Sequence, residues 1–125
     1  MRTCLKTNQF YESKGAKEPF TPQFFNSASI ALVHFCFPSK GRASLAFRNG
    51  GFGVMVDVMQ AYRQADYLQI IGIAALTVLW KGSNENVYSW NVATDVLAET
   101  VLALDAHSEN AKLYTVACSA LGTLL

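Results

Sequence analysis

The chain has 125 residues, a formal net charge of +1 and a hydrophobic fraction of 51%. That length allows one domain, and the nearly balanced charge gives the chain as a whole no strong attraction to nucleic acid or an anionic membrane. Its three cysteines, Cys4, Cys36 and Cys118, are scattered and odd in number, which argues against a disulfide framework and favours a reducing, cytoplasmic compartment.

Charge is distributed unevenly along the chain. Residues 1–53 contain seven Lys/Arg and two Asp/Glu, a net of +5, whereas residues 54–125 contain three and seven, a net of −4. The basic residues are spread out and not clustered, so no nucleic-acid partner is expected. Pro19 and Pro22 interrupt the N-terminal part, where no helical or strand period persists. Residues 1–51 are therefore predicted to form an irregular, poorly ordered segment that is rich in Phe.

Two short apolar runs lie within this N-terminal part. Residues 30–37 could form a strand or a buried helical piece, because periodicity does not separate the two in so short a run. Residues 44–48 form a second patch, which could also be a strand, and Asn49-Gly50-Gly51 is a strong breaker after it. Neither the first run nor residues 70–80 approach the ~18 residues that a membrane-spanning helix needs, so no transmembrane segment is predicted.

Beyond residue 51 the apolar spacing becomes helical. A first helix is predicted over ~52–63 and a second over ~67–80, with apolar residues at steps of three and four. Asp66 is placed to accept hydrogen bonds from the first amides of the second helix. Gly82 is expected to end that helix in a left-handed conformation, and residues 81–96 are expected to form a connector.

Two further helices are predicted, over ~95–106 and from ~111 to the last residue. Thr94 or Asp95 is expected to cap the first of them, and Ser108 or Asn110 the second. Shifting the chain by 45 positions aligns residues 52–80 with residues 97–125, with six identities in 29 positions and apolar character or small size kept at six others. A period of 45 lies within the ~40–47 residues of HEAT and armadillo repeats.

The residues of the second unit carry a resemblance to a known family. An H-x-x-N pair at His107 and Asn110 precedes a helix in which leucines alternate with small residues; its members are Leu113, Ala117, Ala120, Leu121 and Leu124. The first unit repeats this helix but has Tyr62 in place of His107 and Ala65 in place of Asn110. Residues ~52–125 resemble an armadillo/HEAT-type repeat protein.

That resemblance implies an all-α fold, an armadillo/HEAT-like α-solenoid fragment of two helical hairpins over residues 52–80 and 97–125. It also implies a protein-interaction scaffold that needs no cofactor and has no catalytic activity of its own. Because stacked helices present one extended surface, the expected partner is another protein, which the sequence does not identify.

Aromatic residues in and beside the connector are the candidate partner-binding residues. Tyr88 and Trp90 lie within it and Trp80 ends the preceding helix. Aromatic side chains near the ends of loops are common anchors of protein interfaces. They are equally common as packing residues between repeats, so both interpretations stay open for these three side chains.

A glycine-rich loop is the first candidate for enzyme chemistry. Gly51-Phe52-Gly53 precedes a helix, as a phosphate-binding loop would, and the loop Gly50–Gly53 leaves a nucleotide-binding enzyme fragment as an alternative. The third glycine of the motif is missing, because Val56 occupies its position. No cofactor is therefore predicted.

The remaining reactive residues do not form a recognised site. His34 and Cys36 would share one face of a strand, but structural zinc requires four ligands. His107 and Cys118 could act as base and nucleophile, yet Cys118 aligns with Ile73 and so occupies a packing position on the inner face of its helix. Neither a metal site nor a catalytic residue is predicted.

The last helix ends in apolar residues and lacks the polar face that closes most solenoids. Two units are also fewer than the ~three that repeat proteins usually need for stability. The chain is accordingly expected to be a fragment of a larger repeat protein, or else a truncated isoform without function. The uncapped C-terminal helix could also mediate self-association.

Overall fold

The structure, a computed structural model, describes residues 1–83 and 89–124, with side chains described up to residue 82 and from residue 91. This part of the chain contains seven α-helices and no strand, which confirms the all-α prediction. The helices are α1 (Arg2–Ser13), α2 (Pro22–Cys36), α3 (Lys40–Arg48), α4 (Gly51–Ala61), α5 (Asp66–Ser83), α6 (Ser89–Ala106) and α7 (Ala111–Leu124).

The prediction of an irregular segment over residues 1–51 is wrong, because α1, α2 and α3 occupy most of it. The prolines mark helix boundaries: Pro22 is the first residue of α2, a position where the absent N–H costs nothing. The hydroxyl of Thr21 caps α2 by accepting from the N–H of Phe24 at 3.2 Å. The hydroxyl of Ser39 caps α3 in the same way.

The two apolar runs of this segment are helical. Residues 30–36 belong to α2, which settles the choice between strand and helix, and the second patch lies inside α3 and is not a strand. The breaker after it is confirmed. Gly50 has a φ of +85°, a left-handed conformation that glycine adopts without strain, and it separates α3 from α4.

Helix α5 lies at the centre of the molecule and packs against α2, α3, α4, α6 and α7. Asp66 begins it, and its carboxylate accepts from the N–H of Tyr67 at 2.8 Å, as predicted. The prediction for Gly82 is wrong, because this residue lies within α5 and has no positive φ. An added Cβ at Gly82 would lie 2.4 Å from the Cβ of Ala43, so this glycine allows α3 to approach α5.

Of the second predicted pair of helices, only the first begins earlier than expected. Helix α6 starts at Ser89, within the predicted connector 81–96, because Val92, one turn before Val96, extends its buried face. Helix α7 begins close to the predicted position. The side-chain oxygen of Asn110 caps α7 by accepting from the N–H of Leu113 at 2.9 Å.

The buried apolar side chains form two adjoining clusters. The larger contains residues from α2 to α7, and α5 contributes Ile73, Ala75, Leu76 and Leu79 to it. The smaller joins α1, α2, α4 and α5 through one residue from each helix, namely Leu5, Phe25, Val58 and Leu68. Since α5 contributes to both clusters, the N-terminal helices and the predicted repeat units share one core.

Candidate functional site

The three predicted partner-binding residues do not form a described surface. Tyr88 lies outside the described residues, and Trp90 lies in α6 with a side chain that is also outside them. Trp80 lies in α5, where its side chain is partly buried and packs against the larger core cluster. Its described environment is that of a packing residue.

A more extensive exposed apolar surface lies on α2. Residues 19–39 contain no Lys, Arg, Asp or Glu. Phe24, Ala28, Ala31 and Phe35 follow one another at steps of four, three and four and so share one side of α2. Phe24 is 39% exposed and Phe35 42% exposed, with two small residues between them. We call these four residues the α2 face.

The same spacing recurs in two other helices. The corresponding residues are Leu68, Gly72, Ala75 and Leu79 in α5, and Leu113, Ala117, Ala120 and Leu124 in α7.

Burial differs sharply between these copies of the pattern. In α5 all four positions are buried, and in α7 the first three are buried. Helix α5 packs against α2, α3 and α4, which precede it in the chain, and α7 packs against α5 and α6. The α2 face therefore presents to solvent the positions that α5 and α7 bury against preceding helices.

The α2 face has a basic edge. The guanidinium of Arg42 lies 5.4 Å from the centre of the Phe35 ring, a cation–π arrangement that keeps the positive charge beside the apolar surface. Lys40 is also exposed at the start of α3. Beyond Phe35, a shallow cavity of about 370 Å³ is lined by Val33, His34, Phe37 and Pro38. A partner helix with apolar and acidic residues would complement this surface.

Residues at equivalent positions of the two predicted units make similar long-range contacts. The Tyr62 hydroxyl accepts a hydrogen bond from the Asn8 side chain at 2.9 Å. His107, the residue 45 positions later, donates from Nε2 to the Arg63 carbonyl at 2.8 Å. Both side chains thus reach back to a preceding part of the chain. Burial raises the pKa of the Tyr62 phenol, an effect that the hydrogen bond from Asn8 opposes.

A buried polar network joins the two units. An Nη2 of Arg63 donates to Oε1 of Glu99 at 2.8 Å, and its Nη1 donates to Oε1 of Gln69 at 2.9 Å. The amide of Gln69 in turn donates to the backbone carbonyls of Met59 and Tyr62. Each side chain in the network has a hydrogen-bond partner. The network links α6 to the corner between α4 and α5, which is a structural role.

The other candidate residues are not brought together. His34 is exposed on α2 while Cys36 is buried, since residues two apart point in different directions on a helix. The Nε2 of His107 is engaged by a backbone carbonyl. The prediction of an inward-facing Cys118 is wrong, because this residue is exposed on α7. Within residues 1–83 and 89–124, no group of three His, Cys, Asp or Glu could hold a metal ion.

Iodoacetamide is expected to alkylate Cys118 at least about tenfold faster than Cys36 in the dilute native chain. Cys36 is buried, and burial raises the pKa of its thiol, an effect that nearby Arg42 only partly opposes. The thiolate is the reactive form, so both access and ionisation are reduced. Peptide mass spectrometry after timed alkylation measures the two rates. They should converge in denaturant, and equal native rates would contradict the placement of Cys36.

No helix in the described part of the chain is long and apolar enough to cross a membrane. No protein-family model, curated protein or solved structure matches this chain.

Proposed function

We propose that this chain is a protein-interaction module built from armadillo/HEAT-like helical units, and that it binds a partner helix on the α2 face. The observation that carries the proposal is the exposure of Phe24 and Phe35 at positions that α5 buries. A contiguous exposed apolar surface on a folded chain is typical of an interaction site. No catalytic step is part of this proposal.

The long-range polar contacts support the repeat interpretation. Tyr62 and His107 are equivalent under a shift of 45 residues, and each is bonded to a group 44 or 54 residues earlier. A stack of similar units requires this kind of contact, because each unit contacts mainly its neighbours. The recurrence of the large–small–small–large pattern in α2 adds a third helix of the same type to the two predicted hairpins.

The chemistry of the α2 face suits helix docking. Helix axes pack about 8–10 Å apart, and small side chains at the contact favour the closer distances. Ala28 and Ala31 would allow a partner helix to approach, while the flanking Phe24 and Phe35 rings supply the large apolar anchors that dominate interface energies. Arg42 beside Phe35 would favour an acidic residue on the partner.

The Ala31→Arg variant is expected to reduce partner capture about tenfold or more, because a charged side chain at the centre of the α2 face would be buried without a partner. The full chain is immobilised, and proteins retained from a cell lysate are quantified by mass spectrometry. Ala31 is exposed, so thermal unfolding should change little.

The matched control is Ala61→Arg, at an exposed alanine at the end of α4 that is not part of the α2 face. It introduces the same side chain and should leave the set of captured proteins unchanged. Capture that is equally strong in both variants would contradict docking on the α2 face.

A further inference from the structure

We infer that a second copy of this chain docks on the α2 face through its α7 end, so that copies assemble head to tail. This inference rests on the proposed function and specifies one occupant of the same face. The docking surface at the other end of the chain consists of Tyr114, Cys118 and Leu121 on α7, which we call the α7 face. Beside it, Val101 and Leu102 are exposed on α6.

The α7 face corresponds to a surface that α5 buries. Under the shift of 45 residues, Tyr114, Cys118 and Leu121 align with Gln69, Ile73 and Leu76. Those three residues of α5 are fully buried in a helix that packs against both α6 and α7.

Apolar residues of α6 and α7 at this end of the chain are exposed. Tyr114 is 44% exposed and Val101 58% exposed. Val56, the counterpart of Val101 in the first unit, is partly buried against the larger core cluster. The α7 end therefore exposes Tyr114, Cys118 and Val101, whose counterparts in the preceding unit are buried or partly buried.

The α2 face is the surface on which we expect the α7 face of another copy to dock. Its residues align with the Leu113, Ala117 and Ala120 positions of α7, which are buried where α7 packs on α5 and α6. If the α7 face of one copy meets the α2 face of another, helix packs on helix between copies as α7 packs on α5 within one chain. The chain thus carries two apolar helix faces that are exposed at separate places.

Charge favours this pairing over the alternatives. Arg42 and Lys40 lie at the edge of the α2 face, in the half of the chain with a net charge of +5. On α6 and just after it three acidic residues are exposed, Asp95, Asp105 and Glu109, against one exposed basic residue on α7, Lys112. Opposite charges would meet in a head-to-tail contact, whereas like charges would meet if two α2 faces or two α7 ends paired.

A contact between two different surfaces does not close on itself as a two-fold dimer does. Such a heterologous interface produces a ring where the rotation closes and an open chain where it does not. The mass of the assembly is therefore expected to rise with protein concentration and to fall with added salt, because screening weakens the attraction between the exposed charges.

The test is sedimentation of the full chain over a wide range of concentrations, under reducing conditions that prevent disulfide formation. The wild-type chain should form species of two or more copies, and Ala31→Arg and Cys118→Arg should each remain monomeric. Mixed together, the two variants should form a 1:1 dimer that grows no further, because each retains the surface that the other has lost.

Controls separate the contact from folding and from thiol chemistry. Tyr114→Arg provides a second way to block the α7 face should Cys118→Arg fail to fold. Cys118→Ser keeps a small side chain and should assemble like wild type, as should Ala61→Arg. Circular dichroism of each variant establishes that it is folded before it is used.

Three outcomes would overturn the inference. The first is a wild-type chain that stays monomeric at every concentration. The second is a Cys118→Arg variant that still self-associates while Ala31→Arg does not. The third is failure of the two folded variants to form a dimer when they are mixed. A monomeric chain whose lysate capture is still abolished by Ala31→Arg would reject the second copy as occupant while leaving the proposed function intact. Assembly without any Ala31-dependent capture would limit the α2 face to self-association.

Discussion

Replacing Glu99 with alanine is expected to lower the free energy of unfolding by about 3 kcal/mol, the lower end of the range for breaking a buried ion pair. The side chains of Arg63 and Glu99 are 19% and 6% exposed, and they meet at 2.8 Å. Removing the carboxylate leaves a largely buried guanidinium that keeps, among the described side chains, its hydrogen bond to Gln69. Urea unfolding followed by circular dichroism measures the change.

Asp105→Ala is the matched control for this substitution. It also removes a carboxylate from α6, but this side chain is exposed, and its loss should change stability by less than about 0.5 kcal/mol. Arg63→Ala should lower the free energy of unfolding by as much as Glu99→Ala does. The double variant should lower it by less than the sum of the two single variants, because both remove the same interaction. Equal effects of Glu99→Ala and Asp105→Ala would show that the pair does not hold α6 in place.

Gly82→Ala is expected to destabilise the chain by about 2–3 kcal/mol, in the upper part of the range for overpacking. The new Cβ would lie 2.4 Å from the Cβ of Ala43 and 2.8 Å from its carbonyl carbon, so the backbone of α3 must move. That cost exceeds the gain of about 1 kcal/mol that alanine brings to a helix interior. Thermal unfolding measures it as a lower Tm.

The same substitution at two other helical glycines should have smaller effects on stability. At Gly72 the added Cβ would lie 2.5 Å from Cγ of Met59, a flexible side chain, so Gly72→Ala should cost less, about 1 kcal/mol. At Gly122 nothing lies within 4 Å, so Gly122→Ala should stabilise by up to about 1 kcal/mol. A different order of the three variants would contradict the close approach of α3 to α5.

The helices that the sequence predicts well are those in which one apolar period persists. Residues ~52–63, ~67–80 and ~111–125 show such a period, and α4, α5 and α7 lie there. Helix α1 is not predicted from the sequence because Asn8, which is buried, interrupts the apolar positions of the helix. The side-chain amide of Asn8 is hydrogen-bonded to the backbone of Phe20.

Helix α2 was missed for the opposite reason. Its second half, residues 30–36, is apolar except for His34, and so short a run cannot be assigned to a helix from its period alone. Its four-residue pattern does match α5 at a shift of 44, which is the sequence signal that could have revealed it. That signal still does not show which copy of the pattern is exposed, because burial depends on the helices that surround it.

The candidate site illustrates the same limit. The sequence indicates Trp80 as a candidate anchor because large aromatic residues often anchor interfaces, yet its side chain packs against the core. Phe24 and Phe35, which are exposed, look in the sequence like ordinary core residues. Composition identifies side chains that can anchor a partner, but tertiary packing decides which of them are free to do so.

The central position of α5 has a consequence for how the chain unfolds. Long repeat proteins can lose terminal units one at a time, since each unit depends only on its neighbours. Here α5 contacts helices on both sides of it in the chain and contributes to both buried clusters. Detaching α5 would expose both clusters at once, so the two predicted units cannot melt independently. The chain should unfold as one cooperative unit even though its apolar sequence pattern recurs.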